Sequence, residues 1–277
     1  MTSTAPLIRL ASGHGIPQIG LGTWPLNDTE VAEVIASAFE LGYRHVDTAE
    51  NYGNEAGVGE GIRRSGVPRE EVFVTSKFNR EWHSVEGVRE AWERSARRLG
   101  LEYLDLFLVH WPNPDQGTYV QAWEGLLELR DEGKVRSIGV SNFTPEHLDE
   151  IITATGVGPD VNQIQLSPYW VQHRARAFHQ AHAIVTESYS PIGRGQDLLS
   201  EPVVVSAAEA HGVTPAQAVL RWHTQQGLVA IPKTASRERL AANLDVFGFD
   251  LTEDEISAIG ALDGKGPAAA DPNSFGH

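Results

Sequence analysis

Short apolar runs alternate with longer amphipathic stretches along almost the whole chain. The runs are rich in Val, Ile, Leu and Phe and have the length of buried strands, whereas the stretches between them repeat apolar residues at the three- and four-residue spacing of helices. Strands are predicted to begin near Gln18, Tyr43, Val72, Leu104, Val135, Val161, Ile184 and Leu228. Helices are predicted over 28–41, 55–65, 84–99, 119–132, 145–154, 172–181, 215–225 and 237–244, with Thr144 and Thr214 as N-caps before a proline.

This alternation predicts an α/β fold. Buried strands joined by helices form parallel sheets, and eight such units in 277 residues favour a closed (β/α)8 TIM barrel. The opening segment, LIRLASGHGIPQIGL, has a glycine-containing turn between two short apolar runs and predicts an N-terminal β-hairpin. Extra helices are expected near the C-terminus, one of them near 202–211. We expect residues 1–277 to form a single barrel domain in which 264–277 are a surface tail.

Composition limits the partners and the chemistry. The chain has no cysteine, which excludes disulfides, thiolate metal sites and cysteine nucleophiles. No signal peptide and no membrane-spanning run is recognisable, so we expect a cytoplasmic protein. The net charge of −15 opposes binding to nucleic acid or to acidic membranes. An anionic ligand therefore needs a local basic pocket.

Ionisable residues follow three neighbouring predicted strands. Asp47 and Tyr52 follow the second strand, Lys77 the third and His110 the fourth. Because barrel active sites lie at the carboxyl ends of the strands, we expect these side chains to converge. Lys77 should lower the pKa of Tyr52 from its ordinary value of about 10, and Asp47 can pair with Lys77. With His110 donating to a carbonyl oxygen, the set suits proton donation to a carbonyl that receives a hydride.

Each of these residues also has a structural interpretation. An Asp at a strand end often caps a helix, a loop Tyr often packs, a Lys that ends a strand is often solvated, and a buried His can be purely structural. A metal-dependent hydrolase using Asp47 and His110 is a further alternative, although few additional ligands are evident. His179 and His182 lie three residues apart on a predicted outer helix, but no third ligand is evident, and no metal site is expected.

Several segments resemble the aldo-keto reductase family. They are GYRHVDTAENYGNE, VTSK, LDLFLVHWP, RSIGVSNF, VNQIQLSP, YSPIGRG and IPKTASRERLAANL, and they extend to about Asp263. The chain is most similar to bacterial members of the 2,5-diketo-D-gluconate reductase type. The resemblance implies NADPH-dependent reduction of aldehydes, ketones or dicarbonyls to alcohols, with Tyr52 as proton donor, Lys77 and Asp47 assisting, and His110 orienting the substrate. It also implies a monomer with a small-molecule carbonyl substrate.

The resemblance further implies where NADPH and the substrate bind. Ser141, Asn142 and Gln163 would hold the nicotinamide carboxamide, and Tyr189 would stack on the ring, although core packing is its alternative role. Lys233, Thr234 and Arg239 would bind the 2′-phosphate at the start of a helix and so supply the local basic pocket. The other implied cofactor contacts are Gly22, Thr23, Trp24, Asp47, Ser190, Pro191, Ile192, Gly193, Ile231, Ala235 and Asn243. The substrate pocket would contain Trp24, Tyr52, His110 and Trp111.

Some positions depart from the family pattern. Ala242 and Ala269 replace a common Glu and Arg, which puts two adenine contacts in doubt, and Asn79 replaces a common Trp. Gln165 and Ser167 replace a usual Glu and His. Trp82 is expected either to line the pocket or to pack in the core. A non-enzymatic NADPH-binding redox-sensor subunit on the same fold stays open as an alternative, since fold alone does not exclude it.

Overall fold

Eight parallel strands form the centre of the protein. The computed structural model describes residues 4–195 and 197–276. Neighbouring strands of the sheet, whose residue ranges are given below, follow one another in the order β10-β9-β8-β7-β6-β5-β4-β3. The backbone N–H of Ala230 donates to the Gln18 carbonyl at 2.9 Å, and that of Gly20 donates to the Ala230 carbonyl at 3.0 Å, so the sheet closes on itself. The predicted (β/α)8 TIM barrel is confirmed. Its strands are β3 Leu21–Gly22, β4 His45–Asp47, β5 Phe73–Phe78, β6 Leu104–Val109, β7 Val135–Ser141, β8 Val161–Gln165, β9 Val185–Tyr189 and β10 Val229–Ala230.

Helices surround the barrel, and each predicted helix is present with ends within one residue of the expected ones. They are α1 Asp28–Leu41, α2 Glu55–Ser65, α3 Val85–Leu99, α4 Tyr119–Asp131, α5 Pro145–Thr155, α6 His173–Ala181, α8 Pro215–Gln225 and α9 Arg237–Leu244. Thr144 and Thr214 both cap their helices as predicted. Within the described residues, no helix is long and apolar enough to cross a membrane.

Two extra helices lie near the C-terminus, as expected for this fold. One is α7 Pro202–His211, at the predicted position, and the other is α10 Glu253–Gly260. No bounds were predicted for α10, although its segment carries a strong start signal. Thr252 and Glu255 form a reciprocal capping box that satisfies two backbone N–H groups of the first turn.

The N-terminal hairpin closes the bottom of the barrel. Its antiparallel strands are β1 Leu7–Arg9 and β2 Gly15–Pro17. The Ser12 backbone N–H donates to Asp160 Oδ1 at 2.6 Å, just before β8 begins. Ile16 is fully buried in a cluster with Phe73 and Leu106 at the amino-terminal ends of their strands. Access to the interior is therefore left to the opposite end, where the strands finish.

Strand alternation places polar side chains inside the mouth of the barrel. Successive strand residues point to opposite faces, so residues two apart share one face. Lys77 on β5 reaches Asp47 on β4, and Gln163 on β8 reaches Glu187 on β9, all within the barrel. The carboxyl ends of the strands thus combine a polar interior with helices packed on the outside.

Residues 264–276 return to this mouth. Trp170 Nε1 donates to the Pro267 carbonyl at 2.8 Å and anchors the segment. Near its end, the Phe275 ring lies 4.8 Å from the Trp111 ring, centroid to centroid. The tail therefore runs along the surface and ends beside the residue that follows His110.

Candidate active site and cofactor site

Lys77 is the centre of a buried hydrogen-bond network. Its side chain is fully buried, and Nζ donates to Asp47 Oδ1 at 2.7 Å, to the Thr48 carbonyl at 2.9 Å and to Tyr52 OH at 3.4 Å. An ammonium group has three hydrogens, so these acceptors account for all of them. The Tyr52 and His110 rings meet edge to face at 6.0 Å between centroids. The four residues expected to converge are together at the mouth.

A short 3-10 turn, Glu50–Tyr52, positions the tyrosine. Asn54, which follows the turn, anchors its end. The Asn54 Nδ2 donates to the Leu26 carbonyl at 2.8 Å, and its Oδ1 accepts from Thr48 Oγ1 at 2.8 Å. Trp82 anchors the first residue of the turn, because Trp82 Nε1 donates to Glu50 Oε2 at 2.8 Å. Trp82 thus supports the turn that carries Tyr52. The sequence analysis did not identify Asn54 as part of this support.

Burial dominates the electrostatics of the network. Burial is the largest single effect on Lys77 and would lower its pKa, but the charge and hydrogen bond of Asp47, together with Tyr52 and Glu187, outweigh it and the pKa rises. Burial raises the pKa of Tyr52, and the smaller opposing effect of Lys77 does not cancel the rise. The expectation that Lys77 brings the pKa of Tyr52 below its ordinary value was therefore wrong in its net direction, because desolvation of the phenolate is the larger effect. Tyr52 keeps its proton at neutral pH.

His110 lies between the network and the outer pocket. Its Nδ1 is 3.4 Å from Asn79 Oδ1, so the residue that replaces a common Trp contacts the imidazole. Trp111 is buried, and its ring lies 6.5 Å from that of His110. Trp24, by contrast, is 47% exposed, and the Arg194 guanidinium lies 4.6 Å above its ring.

The amide residues predicted for the carboxamide also meet. Ser141 and Asn142 follow one another at the end of β7, and Asn142 Nδ2 donates to Ser141 Oγ at 3.0 Å. Asn142 has a left-handed φ of 63°, a conformation that Asn tolerates better than most residues. Tyr189 OH donates to Asn142 Oδ1 at 2.8 Å. Gln163 Nε2 donates to Asp47 Oδ2 at 2.7 Å, which joins this group to the Lys77 network.

Glu187 is a buried acid of this region that the sequence analysis missed. It lies on β9, two residues before Tyr189, and its Oε2 accepts from Gln163 Nε2 at 2.9 Å. The sequence VTESY could have indicated this. Glu187 stands inside a predicted strand, two residues before Tyr189, and therefore faces the same side of the sheet. A buried acid needs partners, and period-two alternation would have directed it into the barrel.

The residues predicted for the 2′-phosphate lie on the opposite side of the mouth. Lys233 and Arg239 are exposed, and neither forms an ion pair with any of the described residues. Thr234 is buried, and its Oγ1 accepts from the Ser236 backbone N–H at 3.1 Å. Ser236 in turn caps α9. Arg237, in contrast, is held by Glu40 and Ser37 at 2.8 and 2.7 Å.

The remaining predicted cofactor residues surround the space between these two ends. Ser190 has a left-handed φ of 53° where the chain leaves β9, and Gly193 has a φ of 80°. A Cβ atom on Gly22 would lie 3.0 Å from the Ile231 carbonyl oxygen, so two predicted contact residues approach closely there. Asn243 is buried on α9. Pro191, Ile192 and Ala235 lie in the connections after β9 and β10.

The described residues fit NADPH at both ends. Hydroxyl and amide groups of Ser141, Asn142 and Gln163 match a carboxamide, and the buried Thr23 Oγ1 has no hydrogen-bond partner among the described residues. Two exposed cations and a capped helix N-terminus match a phosphate. Such a local basic group offsets the unfavourable net charge of the chain.

Metal ligation has no comparable support. No group of three or more His, Cys, Asp or Glu side chains in the described ranges is arranged to hold a metal ion. His179 is buried and contacts Asn162 and Thr186 through its two ring nitrogens, at 2.9 and 2.8 Å. His182 stacks on Phe178 at 4.0 Å between ring centroids. These two histidines have structural contacts.

Comparison with known proteins agrees with the geometry. The model of the Aldo/keto reductase family matches residues 13–263. An aldo-keto reductase of Mycolicibacterium smegmatis is 46% identical over 276 residues, and methylglyoxal reductase DkgA of Escherichia coli is 44% identical over 271 residues, each covering 98% of both chains. A crystal structure of a Gox0644 mutant in complex with NADPH is 47% identical, with a TM-score of 0.94 over 99% of both chains. The chain therefore belongs to the aldo/keto reductase family and is an NADPH-dependent oxidoreductase that reduces carbonyl groups.

Proposed function

We propose that this protein reduces small aldehydes, ketones and dicarbonyls to alcohols, with Tyr52 as the proton donor. The observation that carries the proposal is the buried contact of Lys77 Nζ with both Asp47 Oδ1 and Tyr52 OH, at 2.7 and 3.4 Å. The similarity to methylglyoxal reductase DkgA favours α-dicarbonyl substrates. A cytoplasmic protein that binds neither nucleic acid nor membranes completes the proposal, and this part rests on charge and composition. That the protein is a monomer is proposed from the family resemblance.

The residues of the site divide the chemistry between them. NADPH, when bound, supplies the hydride that the carbonyl carbon receives. The Tyr52 hydroxyl gives its proton to the carbonyl oxygen, and the Lys77 ammonium stabilises the negative charge that is left on the phenolate oxygen. Asp47 keeps Lys77 charged and fixed in a site where burial alone would favour the neutral amine.

His110 orients the substrate in this proposal. Donation from His110 Nε2 to the carbonyl oxygen requires that a neutral ring carries its proton on Nε2 and none on Nδ1. Asn79 suits this tautomer when its amide is turned so that Nδ2, in place of the observed Oδ1, faces Nδ1. Trp24 and Trp111, with the Phe275 ring against Trp111, form the apolar walls of the proposed substrate pocket.

Turnover without a metal is the direct test. Purified protein is mixed with NADPH and a panel of aldehydes and α-dicarbonyls, and NADPH oxidation is followed by absorbance with and without a chelator. We expect turnover that the chelator does not change. Tyr52→Phe should remove nearly all of it while NADPH affinity, measured by tryptophan fluorescence quenching, stays within about threefold, because the hydroxyl serves the chemical step.

Three results would redirect the assignment. Tight NADPH binding without turnover on any substrate would favour a redox-sensor subunit. Hydrolysis that the chelator abolishes would favour a metal enzyme. Full activity of Tyr52→Phe would move the proton-donor role to another group.

A further inference from the structure

Glu187 places a second carboxyl group behind the Asp47–Lys77 pair. It is fully buried on β9, and its Oε2 accepts from Gln163 Nε2 at 2.9 Å. The same nitrogen donates to Asp47 Oδ2 at 2.7 Å. An amide nitrogen carries two hydrogens, so both are used by carboxyl groups. Gln163 is thus held from two sides in the interior of the barrel.

This arrangement selects one of the two orientations of the Gln163 amide. A flipped amide would turn Oε1 towards the Asp47 carboxylate and lose that hydrogen bond, which is costly at a buried position. In the observed orientation, Oε1 accepts no hydrogen bond from the part of the chain that the structure describes, and it is the amide atom left for a ligand. Asp47 alone gives one hydrogen bond, about which the amide can rotate. Glu187 supplies the second point of attachment.

The surroundings of Glu187 enclose its carboxyl group without adding a charge, and among the described residues its Oε1 has no hydrogen-bond partner. His45 Nε2 lies 3.5 Å from Glu187 Oε1 and 3.3 Å from Thr75 Oγ1. A Cβ atom on Gly20 would come within 2.5 Å of the His45 ring, so glycine makes room for the imidazole. Burial lowers the pKa of His45 to about 3, and burial together with the charge of Asp47 raises the pKa of Glu187 to about 8. At neutral pH the Lys77–Asp47 pair is then the charged part of the cluster.

We propose that Glu187 is a positioning residue for the cofactor: it holds the Gln163 amide so that Oε1 faces the nicotinamide carboxamide as a hydrogen-bond acceptor. The inference rests on the proposed function, since it assigns Gln163 to the carboxamide of the bound cofactor. It predicts that Glu187 controls recognition of the carboxamide NH2 group without touching the cofactor itself.

The test compares two cofactors in binding experiments. NADP⁺ has the carboxamide NH2 group, and its 3-acetylpyridine analogue has a methyl group there. Their dissociation constants are measured by tryptophan fluorescence quenching for the wild-type protein and for Glu187→Met, Glu187→Asp and Glu187→Gln. We expect the wild-type protein to prefer NADP⁺ about five- to tenfold, the effect of one hydrogen bond. Glu187→Met and the shorter Glu187→Asp should reduce the preference to below about twofold, whereas Glu187→Gln keeps an acceptor and should retain it.

Glu55→Gln is the matched control. Glu55 is also buried, and its Oε1 accepts from Ser76 Oγ at 2.6 Å, but it lies on helix α2 outside the barrel. This variant should keep the wild-type preference even where its melting temperature falls. If Glu187→Met fails to fold, Glu187→Asp gives the same comparison.

The outcomes separate the two proposals. A preference that survives both Glu187→Met and Glu187→Asp, or that Glu187→Gln loses as completely as they do, overturns the positioning role while the reductase assignment stands. A wild-type protein that reduces carbonyls but shows no preference between the two cofactors also overturns it. A wild-type protein that binds neither cofactor overturns the proposed function and this inference with it.

Discussion

The two ends of the cofactor site are constructed on different principles. At the nicotinamide end, Lys77, Asp47 and Gln163 are buried and already hydrogen-bonded to each other. At the phosphate end, Lys233 and Arg239 are exposed on the connection after β10 and on α9, without ion pairs to any described residue. In the proposed function, the first arrangement would fix the reacting groups, and the second would attract the cofactor phosphate to a protein of net charge −15. The proposal thus assigns geometry to buried groups inside the barrel and selection of the phosphate to exposed cations outside it.

Lys77→Met should have the largest effect, because it leaves the buried Asp47 carboxylate without its cation. Removing one partner of a buried ion pair costs about 3–5 kcal/mol of unfolding free energy. Turnover should fall by about 10²–10⁴-fold as the proton-transfer step loses support. Urea unfolding and steady-state kinetics measure the two effects.

The double variant Asp47→Asn with Lys77→Met sharpens this test. It removes both charges, so most of the lost stability should return while turnover stays low. An exposed cation gives the contrast: Arg239→Ala should change the unfolding free energy by less than about 0.5 kcal/mol. Equal destabilisation by Lys77→Met and Arg239→Ala would remove the distinction between the two ends.

Arg239→Ala should instead act on cofactor choice. Loss of a charge-assisted contact with the 2′-phosphate should raise the KM for NADPH about 10- to 150-fold and that for NADH less than about twofold. Arg237→Ala is the matched control on the same helix, since Arg237 is engaged by Glu40 and Ser37. Equal effects of Arg239→Ala on both cofactors would contradict the phosphate assignment.

The pH dependence of stability gives a further effect, specific to the buried end. The pKa of Glu187 is raised from 4.5 to about 8, mainly by burial. Between pH 4.5 and about 8, Glu187 has lost its proton in the unfolded chain but keeps it in the folded protein. The contribution of this difference to the unfolding free energy is therefore complete below pH 4.5 and is lost as the pH rises towards 8. One proton corresponds to a slope of at most about 1.4 kcal/mol per pH unit. Glutamine does not titrate, so Glu187→Gln should not lose unfolding free energy in this way. The unfolding free energy of the variant minus that of the wild-type protein should therefore rise between pH 4.5 and 8.

Chemical denaturation at several pH values measures this difference. Glu55→Gln provides the reference for a buried glutamate on the helical side of the sheet. A constant difference between Glu187→Gln and wild type from pH 5 to pH 8 would show that Glu187 is already ionised in the folded protein.

The helices of this protein were the easiest elements to predict, because their signals are local. Apolar spacing, with Thr144 and Thr214 as caps before a proline, predicted their ends to within one residue. Among the extra helices expected near the C-terminus, α10 had no predicted bounds despite the Thr252–Glu255 capping box. Strand lengths and barrel closure depend on pairing between distant segments, as between Gln18 and Ala230, and no local pattern states them.

The site divides in the same way. The convergence of Asp47, Tyr52, Lys77 and His110 was predictable because each stands at the end of a strand or in the turn that follows it, where a barrel gathers its reactive groups. The net shift in the pKa of Tyr52 was not predictable, since it depends on how much water burial removes relative to one neighbouring charge. Asn54 and Glu187 were also missed, because their partners are distant in sequence.

By itself, then, the sequence determined the order of strands and helices, the convergence of four ionisable residues and the need for a local basic pocket. These follow from residue types and periodicities that act over a few positions. Only the tertiary structure decided that Gln163 joins Asp47 to Glu187, that Arg237 is engaged while Arg239 is exposed, and that the tail brings Phe275 to Trp111. Such contacts join residues far apart in the chain, and their energies depend on burial that exists only after folding.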